Sequence, residues 1–155
     1  MEQREGGFTL IEIMAVVLII GLLGGIVGTV VFRQIDKAKV TTAKIQIKSF
    51  EQALDAYRMD NGRYPSTEQG LDALIHKPSG EPVPKRWAVE GYLAGGKVPL
   101  DPWDNPYQYA SPGTHNPYSF DVWSYGADGA PGGTDNDADV GNWSDDTGTT
   151  GTTRG

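Results

Sequence analysis

The chain has 155 residues, room for one ordinary domain, and carries 13 Lys and Arg against 20 Asp and Glu, a net charge of −7 that argues against a nucleic-acid partner, which selects a basic face. It has no cysteine, which excludes a disulfide framework, a thiolate metal site and a cysteine nucleophile, and its two histidines, His76 and His115, argue against a His-rich zinc site. The charge is segregated: residues 98–153 hold nine Asp and no Lys or Arg, whereas eleven of the basic residues fall within 33–97.

Residues 13–32 form a run of 20 without a charge. At about 1.5 Å per residue such a helix spans ~30 Å, the hydrocarbon thickness of a bilayer. A secretory signal peptide has a shorter apolar region and then an A-x-A-like cleavage site, and none is present here. Glu12 interrupts the apolar pattern near its start, and a carboxylate at membrane depth is a functional candidate by default. Two readings of Glu12 stand: a wet position at headgroup level, or a carboxylate that pairs with a cation from another chain or from a new amino terminus. Gly21, Gly24, Gly25 and Gly28 give two overlapping G-x-x-x-G spacings that favour close helix packing in lipid. Four glycines in eight residues also weaken the helix, which predicts local unwinding between Gly21 and Thr29. The basic residues Arg33, Lys37 and Lys39 after the run would by themselves place its C-terminal side in the cytoplasm.

Residues 33–61 read as helix. Ala43, Ile47, Phe50, Leu54 and Tyr57 recur at spacings of four and three, a single apolar stripe. Joined to the apolar run this makes one helix of about 50 residues, ~80 Å if straight. Gly62 is placed to cap it. A second, short helix is predicted from Pro65, with a capping box at Ser66 and Gln69, an apolar face of Leu71, Leu74 and Ile75, and a stop at Pro78. Residues 78–99 read as loop. Residues 107–109 and 119–125 read as strands, the second alternating Phe120, Val122 and Ser124 against Asp121, Trp123 and Tyr125. The expected fold class is α+β: a long N-terminal helix with a small antiparallel sheet packed on its stripe. The Thr/Gly/Asp-rich tail 144–155 reads as disordered.

Asp128, Asp135, Asp137 and Asp139 lie in a glycine-rich stretch with no basic residue nearby. Such carboxylates repel unless solvated or bridged by a cation, and hard oxygen donors suit Ca²⁺. Asp135-x-Asp137-x-Asp139 begins like an EF-hand loop but has Val140 where that loop needs glycine and Asp146 where it needs Glu. No G-x-S-x-G or H-E-x-x-H motif is present, so no enzyme is indicated.

Gly6-Gly7-Phe8-Thr9-Leu10-Ile11-Glu12 resembles the processing site of type IV pilins and type II secretion pseudopilins. The resemblance implies cleavage after Gly7 by a prepilin peptidase, N-methylation of Phe8, and pairing of Glu12 with the Phe8 amine of a neighbouring subunit during assembly. Many members carry proline where this chain has Thr29. Arg63-Tyr64-Pro65-x-Thr67-Glu68-Gln69-Gly70-Leu71, Asp101-Pro102-Trp103-Asp104-Asn105-Pro106-Tyr107, and Gly126-Ala127-Asp128-Gly129 followed by Ala138-Asp139-Val140-Gly141-Asn142-Trp143 look like the major-pseudopilin family. That likeness implies a type IV pilin-like fold with a leader (1–7), a transmembrane and assembly helix (8–32), a periplasmic domain (33–143) and the tail. It implies one structural Ca²⁺ held by Asp128, Asp137 and Asp139, with Asp135 at the margin and the Tyr125 and Thr134 carbonyls completing the shell. The implied partners are further copies in a filament, minor pseudopilins, the inner-membrane assembly platform and the peptidase. The implied location is the bacterial inner membrane, single-pass, with the C-terminal domain periplasmic; family orientation is preferred over the flanking charges. An adhesive or DNA-uptake pilin is the alternative, but such pilins usually close the C-terminal region with a disulfide, which this chain cannot form.

Overall fold

The structure is a computed structural model that describes residues 7–143. Residues 1–6 of the expected leader and the expected disordered tail, 144–155, lie outside the described residues. The chain divides into two compact units, Met1–Ala38 and Lys39–Gly155. One helix, α1, is assigned over Leu10–Asn61, 52 residues in all.

In the first unit the unwinding expected between Gly21 and Thr29 is not found: the backbone is helical throughout that stretch. Glycine lowers helix propensity, by about 1 kcal/mol relative to alanine, but keeps the N–H that closes each i to i−4 bond. Only proline deletes that donor, and none is present here. The apolar side chains from Phe8 to Val27 for which burial is described are exposed, on every face of the helix. Among the described residues no helix is long and apolar enough to cross a membrane. The side chains of residues 26 and 28–30 lie outside the described set, which interrupts the uncharged 13–32 run.

The second unit is built on the predicted stripe. Ala43, Ile47, Phe50, Leu54 and Tyr57 are all buried, joined by Ala53. They form one core with Leu71, Ala73, Leu74, Tyr107, Phe120, Val122 and Val140. Edge-to-face pairs knit it together, Phe50 on Tyr107 at 5.0 Å and Tyr64 on Phe120 at 4.6 Å between ring centroids. The helix ends as predicted, with Gly62 at φ 74° and its N–H donating to the Arg58 carbonyl at 2.7 Å.

The capping box forms: the Ser66 amide donates to Gln69 Oε1 at 3.0 Å, and the Gln69 amide to Ser66 Oγ at 3.2 Å. The helix predicted after it does not. Gly70 sits at φ 59°, outside the helical region, and the chain continues only as a single 3-10 turn, Leu71–Leu74. Leu71 and Leu74 are buried; Ile75 is half-buried.

Three short strands make an antiparallel sheet in the order β1 (Gln108–Ala110), β2 (Asp121–Ser124), β3 (Val140–Gly141). Tyr109 pairs with Val122, and Ser124 with Val140. Asp121, expected on the outer face, is 2% exposed instead. Its carboxylate accepts the His115 and Asn116 amides at 2.8 and 3.1 Å and Asn116 Nδ2 at 2.8 Å. Residues 113–116 fold over that face of β2, and the His115 and Asn116 N–H groups find their acceptor in the Asp121 carboxylate. Burial alone would push the Asp121 carboxyl up, but these hydrogen bonds outweigh it and hold it below the ordinary carboxylate value.

Candidate functional site

Two regions carry the residues singled out in the sequence. The first is the start of α1. Gly7, Phe8 and Thr9 precede the helix, and Phe8 is 82% exposed. A Cβ on Gly7 would meet no atom within 4 Å, so no contact among the described residues requires glycine there. An unobstructed backbone at a scissile bond is what a peptidase needs. Glu12 is the third residue of the helix, and Thr9 is its cap. The Thr9 amide and hydroxyl donate to Glu12 Oε2 at 2.9 and 3.1 Å, and the Glu12 amide donates to Thr9 Oγ1 at 3.3 Å. This is a capping box, Thr-x-x-Glu, whose spacing is present in the sequence but is masked there by the membrane argument. Within the single chain the Glu12 carboxylate therefore has polar partners without any cation.

The second region is the acidic loop between β2 and β3. It closes on itself by backbone hydrogen bonds: Ala127 N–H to the Asn136 carbonyl at 2.9 Å and Asp139 N–H to the Gly132 carbonyl at 3.2 Å. Asp128 is exposed, and its Oδ1 accepts the Ala130 amide at 3.0 Å. Asp135 and Asp137 are exposed in a 3-10 turn, Asp135–Asp137, with Asp135 at φ 54°. The Thr134 carbonyl accepts the Asp137 amide at 3.0 Å. Tyr125 is half-buried, its ring edge-on to Trp123.

Asp139 differs from the other three. It is half-buried, and its Oδ2 accepts the Gly132 amide at 3.1 Å. Its Oδ1 is buried and has no hydrogen-bond partner. A buried carboxylate oxygen left unpaired costs the full desolvation of the group, more than a neutral acceptor's ~1–3 kcal/mol. A cation is the partner that would offset this. Among the described residues no three His, Asp or Glu side chains come together in a group that could hold a metal. A cation at Asp139 would therefore draw on carbonyl and water oxygens as well as carboxylates, and a mixed oxygen shell of that kind suits Ca²⁺.

Tyr107 and Tyr109 serve packing, whereas Tyr118 is fully exposed. Tyr107 is buried against Phe50, its hydroxyl donates to Gln46, and burial with the nearby Asp101 charge pushes its phenol up. Tyr109 stacks on Phe120, and its hydroxyl donates to the Pro65 carbonyl at 2.8 Å.

Comparison with known proteins gives two family matches. Type II secretion system (T2SS), protein G, matches residues 30–143, and the prokaryotic N-terminal methylation motif matches residues 3–28. Type II secretion system core protein G of Pseudomonas aeruginosa is 57% identical over 141 residues, covering 91% of this chain and 96% of the relative. The protein of the same name from Dickeya chrysanthemi is 46% identical over 143 residues, 92% of this chain and 89% of the relative. Among solved structures, the major pseudopilin from the type 2 secretion system of enterohaemorrhagic Escherichia coli aligns with a TM-score of 0.61 at 42% identity, covering 70% of this chain and 89% of that one.

Proposed function

The chain belongs to the type II secretion system protein G family, and on that premise we propose that it is the major structural subunit of a pseudopilus, polymerising through the N-terminal part of α1 to drive export of folded proteins across the outer membrane. The observation that carries this is the first unit itself. From Leu10 to Gly25 its helix is apolar on every face but for the carboxylate of Glu12, and those side chains are exposed, so this stretch needs lipid or other helices around it. It begins one turn after a glycine, Gly7, that meets no packing neighbour among the described residues.

These residues imply an order of events. A prepilin peptidase cuts after Gly7 and methylates the Phe8 amine. The helix holds the subunit in the bacterial inner membrane, single-pass, with the second unit in the periplasm. Glu12 exchanges its Thr9 partners for the Phe8 ammonium of a neighbouring copy as the subunit joins the filament. The Phe8 ammonium adds the attraction of opposite charges to the hydrogen bond, which the neutral Thr9 donors do not supply, and this favours the exchange. Minor pseudopilins and the inner-membrane assembly platform are the further partners. One Ca²⁺ binds in the acidic loop at the unpaired Asp139 oxygen, with the Tyr125 and Thr134 carbonyls and water in its shell; Asp128, Asp137 and Asp135 are exposed and do not gather into one group with Asp139, so each would have to swing in to reach the ion. Its role is structural: it neutralises a carboxylate oxygen that the fold buries unpaired. None of these residues is assigned a catalytic role.

The test is the intact mass of the protein purified from cells with and without the peptidase. Loss of residues 1–7 with one added methyl on Phe8, only where the peptidase is present, is the expected result. An unprocessed mass in peptidase-containing cells overturns the assignment.

A further inference from the structure

The Asp101-Pro102-Trp103-Asp104-Asn105-Pro106 segment is a closed turn around one buried carboxylate. Asp101 is 3% exposed; its Oδ1 accepts the Trp103 and Asn105 amides at 3.0 and 2.8 Å, and its own amide donates to the Asn105 carbonyl at 2.9 Å. From this turn two arms reach the same residue. Asp101 Oδ2 accepts the Ser124 hydroxyl, and Ser124 Oγ in turn accepts the Gly126 amide at 3.0 Å. Asn105 Nδ2 donates to the Gly126 carbonyl at 3.1 Å. The N–H and the C=O of Gly126 are thus both fixed by the turn.

Gly126 is the mouth of the acidic loop. It sits at φ 72°, and a Cβ there would lie 2.6 Å from the Asn136 carbonyl oxygen and 2.9 Å from that of Ala138, so the loop's two ends meet across it. The next amide, that of Ala127, makes the closing bond to Asn136. The Tyr125 carbonyl lies one residue before this point and Asp128 two after it.

We infer that Asn105 is a positioning residue for the acidic loop, assisted by Asp101 through Ser124: together they clamp Gly126 so that the loop closes with its oxygen donors in place. For its purpose the inference rests on the calcium reading above; its geometry does not. Groups that orient metal ligands without touching the metal typically change affinity 10–100-fold when removed.

The test uses the full chain in detergent micelles with Asn105→Ala, which deletes the donor to Gly126 and leaves Asp101 and Ser124 in place. Asp104→Gly is the control: Asp104 is exposed at φ 68°, suits glycine, and its side chain takes no part in the clamp. Residue-resolved hydrogen exchange in EDTA is expected to quicken at Ala127 by about tenfold or more in Asn105→Ala and not in Asp104→Gly, while the Asn142 amide, bonded to the Val122 carbonyl, exchanges as in the parent. Calorimetric titration is expected to show the Ca²⁺ dissociation constant raised 10–100-fold in Asn105→Ala alone. Unchanged exchange at Ala127, or an unchanged dissociation constant in a parent that binds Ca²⁺, overturns the inference. A parent that does not bind Ca²⁺ overturns the calcium reading instead, and the exchange data then decide the clamp by themselves.

Discussion

Phe50→Ala puts the packing of α1 against the sheet to a quantitative test. Phe50 is 1% exposed and meets the Tyr107 ring edge-to-face at 5.0 Å. Truncating a buried phenylalanine costs about 3–5 kcal/mol, of which the ring pair contributes roughly 0.5–1.5. The site collapses poorly, because its neighbours Ile47, Leu54 and Tyr107 are themselves fixed in the core, so the upper half of that range is expected. A domain stability of about 5–15 kcal/mol makes this a large fraction of the whole. For a head of roughly a hundred residues the midpoint should fall by about 15–20 °C. Far-UV signals would be dominated by the long helix, so the melt is followed by tryptophan fluorescence: all four Trp, 87, 103, 123 and 143, lie beyond α1. Ile45→Ala is the comparison, on the same helix but 66% exposed, and should shift the midpoint by no more than about two degrees. If the two variants melt alike, the stripe is not what holds the head together.

Glu12→Ala removes the capping-box carboxylate at a cost of only about 1 kcal/mol in helix stability, so the variant should still be processed and inserted; filament formation, scored by electron microscopy and sedimentation, should be lost, and normal filaments would refute an intersubunit role. The full chain in micelles should melt about ten degrees higher in Ca²⁺ at ~100 times its dissociation constant than in EDTA or Mg²⁺, a gain of ~2.7 kcal/mol. That rise should vanish in Asp139→Ala, and equal melts in all three conditions would remove the ion. The Asp121 carboxyl is held below its ordinary value in the folded chain, so the unfolded chain takes up the proton first. Its contribution to stability is therefore present above about pH 4 and lost as pH falls below that. Midpoints measured from pH 7 to pH 2.5 should show this loss in the parent and a shallower one in Asp121→Asn, which should also be less stable at pH 7; parallel profiles would show that Asp121 is not the titrating group.

The legible parts of the fold are those where periodicity is enforced by burial. The Ala43, Ile47, Phe50, Leu54, Tyr57 stripe repeats over four turns and can face only one way, so it reads plainly from spacing alone. Asp121 reads as outward because alternation along β2 puts it there. What alternation does not contain is the 113–116 segment that covers that face and brings N–H donors to it. β3 is two residues long, too short to show a period of two. The helix expected after Ser66 fails for a local reason, the left-handed Gly70, a residue whose type is visible in the sequence but whose φ is not. At Glu12 the membrane argument draws attention to an absent cation and away from Thr9, three residues before it.

The acidic loop illustrates the limit from the other side. All four carboxylates are readable, yet their ranking is not, since exposure separates them: Asp128, Asp135 and Asp137 face solvent and Asp139 alone buries an unpaired oxygen. Between Gly126 and Asp139 no residue but Gly126 is buried, so hydrophobic burial cannot order this loop. Fixing a residue's backbone costs about 1–2 kcal/mol, and an internal hydrogen bond returns a net of about 1. Fewer than one bond per residue leaves a deficit that closure from outside must offset. The Asp101–Asn105 turn supplies that closure at Gly126, and a cation at Asp139 would supply it at the far end. The two act on the same loop, so their effects should not be additive: the Asn105→Ala, Asp139→Ala double variant is expected to lose less than the two single losses combined.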